Sequence, residues 1–159
     1  MLALVIGLAN STLLASVALA DNYPNSPVSQ VTPGALCTTP TSYRYAEHIA
    51  YCERDVSTML KEGIIADYDR RFGFRIQNMP RTEFKIDHFI PLCMGGANEI
   101  SNLWPQHQSV YVITDPLEEA ICAKMNNGRI KQQQAVELIK QAKMNLNQAP
   151  AILRQVRSM

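Results

Sequence analysis

Punctuation by proline and glycine divides residues 83–112 into pieces that can fold in few ways. Residues 83–90 (Glu-Phe-Lys-Ile-Asp-His-Phe-Ile) mix β-branched and aromatic side chains with charged ones, a strand composition. Pro91 ends regular pairing, and Gly95-Gly96 allows a tight turn with positive φ. Residues 100–104 (Ile-Ser-Asn-Leu-Trp) read as a second short strand. Pro105 suits a first helical position, where a missing N–H costs nothing. The expected unit is therefore a hairpin followed directly by a helix through Gln106, His107, Gln108 and Val110. Trp104 is expected in the core beneath that hairpin.

The same stretch gathers chemistry. Asp87 and His88 are neighbours on the first strand, so their side chains leave on opposite faces. A carboxylate is a hard ligand suited to Mg²⁺ or Mn²⁺. An imidazole titrates nearest neutrality and can take a proton from water. Asn102, on the return strand, can bond around His88 and fix its orientation. An Asp-His pair alone says little. The string Asp-His-x-Ile-Pro-Leu-x-x-Gly-Gly-x-Asn-x-x-x-Asn-Leu-Trp, from Asp87 to Trp104, is far more specific.

Those residues resemble the HNH, or His-Me finger (ββα-metal), nucleases. The resemblance implies that His88 is the general base activating water, Asp87 a metal ligand and Asn102 the residue orienting the histidine. It also implies one divalent cation, Mg²⁺ or Mn²⁺, and a further ligand from the helix. Many members carry that ligand about two turns past the asparagine, where this chain has Val110 and Tyr111, both poor ligands. His107 lies about one turn nearer and is the candidate. A weaker likeness spans residues 37–143 and matches small exported bacterial HNH-like proteins with cysteines upstream and Trp-Pro-Gln after the asparagine. His48 lies outside the motif and reads as structural.

The first twenty residues contain no charged side chain and end in Ala18-Leu19-Ala20, a small-x-small pattern before Asp21. They read as a cleaved signal peptide without a positive n-region, with an uncleaved anchor as the alternative. No other segment is long and apolar enough to span a bilayer. Cys37, Cys52, Cys93 and Cys122 form an even set, as expected for a secreted or periplasmic bacterial protein. Four cysteines allow three pairings, which the sequence alone leaves open. Cys37–Cys52 and Cys93–Cys122 are the favoured pair, the first clipping the N-terminal extension to residues 43–60 and the second tying the hairpin to the helix after it. A structural zinc is weakly supported, for no Cys-x-x-Cys spacing occurs.

Net charge is +1 and the isoelectric point near 7.7, which argues against tight, charge-driven nucleic-acid binding. It leaves a nuclease open, since an active site needs only a local basic wall. Arg70, Arg71, Arg75, Arg81 and Lys85 gather before the motif as candidate phosphate contacts, with Asp67, Asp69 and Glu83 as offsetting acids in the alternative of a solvated face.

The expected architecture is a small single α+β domain with a hairpin–helix core surrounded by helices. Residues 21–41 read as an extended or disordered lead-in, 42–147 as the domain and 148–159 as a tail, in which a short helix is allowed. One helix is expected over 53–68, with Val56, Met59, Leu60 and Ile64 facing one way. Another starts from Thr114 as N-cap with Asp115-Pro116 in its first turn and stops at Asn126-Asn127-Gly128. A last one covers 131–145, with Ala135, Leu138, Ile139 and Ala142 as its apolar stripe. The functional expectation is a metal-dependent endonuclease acting without strong sequence specificity, monomeric, on DNA rather than RNA. An inhibitor or immunity protein is an allowed partner. The alternative is a catalytically degenerate module that keeps the scaffold and binds DNA or a protein at the cell envelope.

Overall fold

The computed structural model describes residues 21–159, so the expected signal peptide lies outside the described residues. The described residues form a small α+β domain with four α-helices and two antiparallel two-stranded sheets. Strands β1 (Ser42–Arg44) and β2 (Ile49–Tyr51) form the first hairpin. Helix α1 (Thr58–Phe72) follows, capped by Ser57, whose side chain accepts from the Leu60 N–H. It starts later than expected and turns differently: Ile64, Ile65 and Tyr68 are buried, whereas Met59 is 81% exposed.

Strands β3 (Phe84–His88) and β4 (Leu103–His107) make the central hairpin, with Asp87 opposite Trp104 and Lys85 opposite Gln106. Helix α2 (Gln108–Asn126) leaves β4 at once. The helix therefore begins three residues later than Pro105 suggested. Pro105 is a strand residue opposite Ile86, which a two-stranded sheet tolerates because each strand is an edge and the missing N–H can face away. Thr114 likewise starts nothing. It lies inside α2, where its hydroxyl accepts from Gln106 Nε2 and donates to the Val110 carbonyl, and Pro116 is an internal helical residue. The α2 stop at Asn127 and Gly128 matches expectation, with Gly128 at φ 68°.

The loop between β3 and β4 is shaped by two glycines. Gly95 has φ 83°, and a Cβ on Gly96 would sit 1.8 Å from the Ile90 carbonyl oxygen, so only glycine permits the close approach. Helices α3 (Gln132–Met144) and α4 (Ala149–Ser158) pack on α2. One apolar cluster joins Leu117, Ile121 and Met125 of α2 with Ile139 of α3 and Ile152 and Val156 of α4. A second places Trp104, fully buried, with Ile64, Tyr68, Phe84, Ile86 and Val110.

Both terminal expectations need correction. Residues 21–41 lack regular elements but are not loose: Thr32 is buried, and its hydroxyl meets the Tyr68 hydroxyl at 2.7 Å and the Leu103 carbonyl at 3.1 Å. Val28 and Val31 rest on the second cluster. The segment 148–159 is no tail. Its helix buries Ala149, Ile152 and Val156, and it belongs to the core because these side chains join the apolar face of α2 in the first cluster. The disulfides pair Cys37 with Cys52 and Cys93 with Cys122, with Cα–Cα distances of 5.7 and 6.0 Å. No described helix is long and apolar enough to cross a membrane.

Candidate functional site

Asp87 and His88 end β3 facing different neighbours, yet both line one cavity of about 460 Å³ with Arg54, Lys85, Asp115, Glu118 and the Cys93–Cys122 pair. His88 is 3% exposed and Asp87 8%. The histidine is held by groups on both ring nitrogens. Its Nε2 lies 2.9 Å from Asn98 Oδ1, and Asn98 Nδ2 donates to the Glu53 carbonyl at 2.6 Å. With the amide oriented by Glu53, Oδ1 must accept, so Nε2 carries the proton. Nδ1 is then the unprotonated nitrogen, and it accepts from Arg54 Nη1 at 3.3 Å. Arg54 is anchored by Nη2 donating to the Ile86 carbonyl at 2.9 Å. Burial lowers the His88 pKa below its ordinary 6.5. The Asn98 bond opposes this and Arg54 adds to it, so the ring is a neutral base at neutral pH.

Asp87 belongs to a different group. Its carboxylate and those of Asp115 and Glu118, one helical turn apart on α2, place one oxygen each within 4.8 Å of one another. Two ammonium groups join them. Lys143, fully buried, donates to Asp87 Oδ2 at 2.8 Å, to the His88 carbonyl at 2.6 Å and to Glu118 Oε2 at 3.4 Å. Lys85, on the rim, donates to both Asp115 oxygens at 2.7 and 2.8 Å and lies 3.8 Å from Asp87 Oδ1. Burial alone would raise the Asp87 carboxyl, but Lys143 and then Lys85 more than offset it and hold the group below its ordinary value. Glu118 goes the other way: burial raises it, and the shared Lys143 does not compensate fully. Burial pulls Lys143 down, and the two carboxylates bring it above the usual lysine value.

Three carboxylates are the donor chemistry that Mg²⁺ and Mn²⁺ take. Lys85 is a long rim side chain that can leave Asp115, whereas Lys143 is enclosed and stays with Asp87. Asp87, Asp115 and Glu118 are thus the described residues that could hold a single hard divalent cation, and Lys85 and Lys143 pair with them in this structure.

Several expected site residues lie elsewhere. His107 is the N-cap of α2, not a helical residue. Its Nδ1 accepts from the Ser109 N–H at 3.2 Å, Tyr23 stacks on the ring at 3.9 Å, and its Nε2 faces Glu83 at 3.6 Å. It pairs with Phe84, three ladder positions from Asp87 and about 10 Å along the strand, so the two do not share a metal. Asn102 does not touch the His88 ring. It is buried under the loop, where Oδ1 accepts from the Ile90 N–H and Nδ2 donates to the Ile90 and Ala97 carbonyls, all at 2.9 Å. It fixes the turn that carries Asn98. Of the proposed phosphate contacts only Lys85 lines the cavity. Arg70 and Arg71 pair with Asp67 at the end of α1, Arg81 donates to the Phe84 carbonyl, and the Arg75 backbone N–H bonds to Asn22.

The motif held Asn98 without assigning it a role, and it missed Arg54, Asp115, Glu118 and Lys143. Comparison with known proteins adds no relative: no family profile matches the chain, and no curated protein and no solved structure matches it significantly.

Proposed function

We propose that the chain is a metal-dependent phosphodiesterase acting on nucleic acid, with His88 as general base. One observation carries this reading: His88, with its tautomer fixed by Asn98 and its Nδ1 met by Arg54, lines the same cavity as a three-carboxylate cluster. Asp87, Asp115 and Glu118 would hold a divalent cation, which would supply positive charge against a scissile phosphate and its leaving oxygen. His88 Nδ1 takes a proton from the attacking water. Arg54 must release that nitrogen first, and a phosphate oxygen is the partner that draws its guanidinium away. Lys143 keeps Asp87 ionised throughout. The motif's resemblance to the HNH nucleases agrees with this assignment of Asp87 and His88, and the β3–β4–α2 unit has the order of a ββα-metal core. DNA is the proposed substrate, cut without sequence preference, in an oxidising compartment where both disulfides persist.

One observation favours a second reading, a scaffold without turnover. Lys85 and Lys143 already neutralise the carboxylates, and Arg54 already satisfies His88. Plasmid cleavage with Mg²⁺ or Mn²⁺, with chelator, and by His88→Ala separates the two. Base catalysis contributes roughly 10²–10⁴-fold, so His88→Ala should lose that much rate while binding Mn²⁺ as before, and Glu118→Gln should weaken Mn²⁺ binding. Cleavage by His88→Ala at the wild-type rate sinks the mechanism. Cleavage by neither protein, both folded and oxidised, favours the scaffold.

A further inference from the structure

The two disulfides differ in place. Cys37 and Cys52 are both buried, at 7% and 9% exposure. Cys93 and Cys122 are partly exposed, and both line the cavity that holds Asp87, His88 and Glu118. Cys93 lies in the 3₁₀ turn Leu92–Met94, a short step past His88 and just before the Gly95-Gly96 turn. Cys122 is one helical turn beyond Glu118 on α2. The bond therefore spans the two halves of the carboxylate cluster, with Asp87 on the β3 side and Asp115 and Glu118 on the α2 side. Apart from this bond, the halves are held by ion pairs, Lys143 between Asp87 and Glu118 and Lys85 between Asp87 and Asp115, and by apolar packing of Ile90 and Met94 on Leu117 and Ile121.

We infer that Cys93–Cys122 is a redox lock on the metal site, closed in an oxidising compartment and open in a reducing one. The inference rests on the proposed metal-dependent function and adds its regulation. Opening is ordinary thiol–disulfide exchange with a dithiol reductant. One reductant thiolate attacks a sulfur of the pair and forms a mixed disulfide. The second reductant thiol then displaces it. Two electrons and two protons finish on Cys93 and Cys122, and the reductant leaves as its own cyclic disulfide. Access decides which bond goes first, and only Cys93–Cys122 faces the cavity. With the bond open, α2 keeps its start at β4 and its core packing but loses its direct covalent tie to the β3–β4 loop, so Asp115 and Glu118 are held less rigidly at Asp87. A chain made in a reducing compartment would then have an unformed metal site until export closes it.

The test uses the folded oxidised protein in three forms: wild type, Cys93→Ser/Cys122→Ser and Cys37→Ser/Cys52→Ser. Graded dithiothreitol, with alkylation and mass analysis, sets the order of bond opening in the wild type and supplies the open form without mutation should the serine variants fail to fold. Two readouts follow, Mn²⁺ affinity by calorimetry and amide hydrogen exchange of α2. Cys93–Cys122 should open first. The open form should exchange faster around residues 115–122 and bind Mn²⁺ about tenfold or more weakly, the range seen when groups supporting metal ligands are lost. Loss of Cys37–Cys52 should leave Mn²⁺ affinity within about twofold. Unchanged α2 exchange in the open form overturns the lock, whatever Mn²⁺ does. Oxidised wild type that binds no Mn²⁺, but whose α2 exchange still responds to the bond, overturns the metal-dependent function and leaves the mechanical coupling standing.

Discussion

Replacing Lys143 by methionine removes a fully buried charge that water cannot replace. The ammonium is fully buried and serves three acceptors: Asp87 Oδ2, the His88 carbonyl and Glu118 Oε2. Methionine keeps the volume and drops the charge, leaving Asp87 ionised in a buried site. Breaking a buried pair by removing one partner costs about 3–5 kcal/mol, a large share of the roughly 5–15 kcal/mol that holds a domain together. At a typical urea slope of about 2 kcal/mol per M, the midpoint should fall by about 1.5–2.5 M. The measurement is urea unfolding in chelator, so that no cation substitutes for the ammonium. Asp87→Asn in the same background should recover part of the loss, because the stranded charge goes with it. The pH dependence gives a second check. In the wild type the Asp87 carboxyl is depressed below its ordinary value of 3.8. Its stabilisation is thus full above that value and lost as pH falls through the lower folded pKa. Without Lys143 the depression of the Asp87 pKa shrinks to what Lys85 and His88 supply against burial, so Lys143→Met should lose less stability on acidification than the wild type does. A midpoint shift equivalent to less than about 1 kcal/mol would refute the assignment of Lys143 as the counter-charge of Asp87.

Two further predictions concern residues that proximity separates. Asn98→Ala should lower the cleavage rate with little change in Mn²⁺ affinity, since it frees the His88 tautomer. Asn102→Ala should act through folding instead, because it strands the Ile90 N–H and two carbonyls at about 1–3 kcal/mol for an unsatisfied buried group. Equal losses of rate per folded molecule in both variants would contradict that division. Ile152→Ala, in α4, should cost about 2–5 kcal/mol in thermal or urea unfolding, as for any buried core residue. A cost near zero would return the C-terminal segment to the status of a tail.

The fold was legible where pattern and punctuation agree. β3, the Gly95-Gly96 turn, the α2 stop and the α3 stripe were all open to reading, and the favoured disulfide pairing is the one found. Pro105 and Pro116 misled because proline's cost depends on whether its nitrogen needs a partner, and that is set by tertiary context. The misplaced helix start hid Asp115 and Glu118, which read as first-turn acids of a new helix rather than one face of a running one. Lys143 did leave a signal. It lies eight residues after Ala135 and four after Ile139, on the buried stripe, and a lysine on an apolar stripe asks for a partner. Asn98 stood in the motif string but without a role, since only the folded β3–β4 loop brings it to His88, and Arg54 left no signal, for it meets His88 only in the folded chain.

The lateness of α3 and α4 in the chain bears on how the molecule comes into being. Lys143 reaches Asp87 across 56 positions, and the face of α2 that α4 covers must wait longer still. A nascent chain that has delivered His88, Asn98 and all four cysteines still lacks the counter-charge for Asp87 and the lid of its larger apolar cluster. Pairing of Cys93 with Cys122 can therefore precede the docking that makes the surrounding charges tolerable. Assembly waits for contacts distant in sequence, which makes it slow, and the partly made chain exposes apolar helix to whatever is nearby.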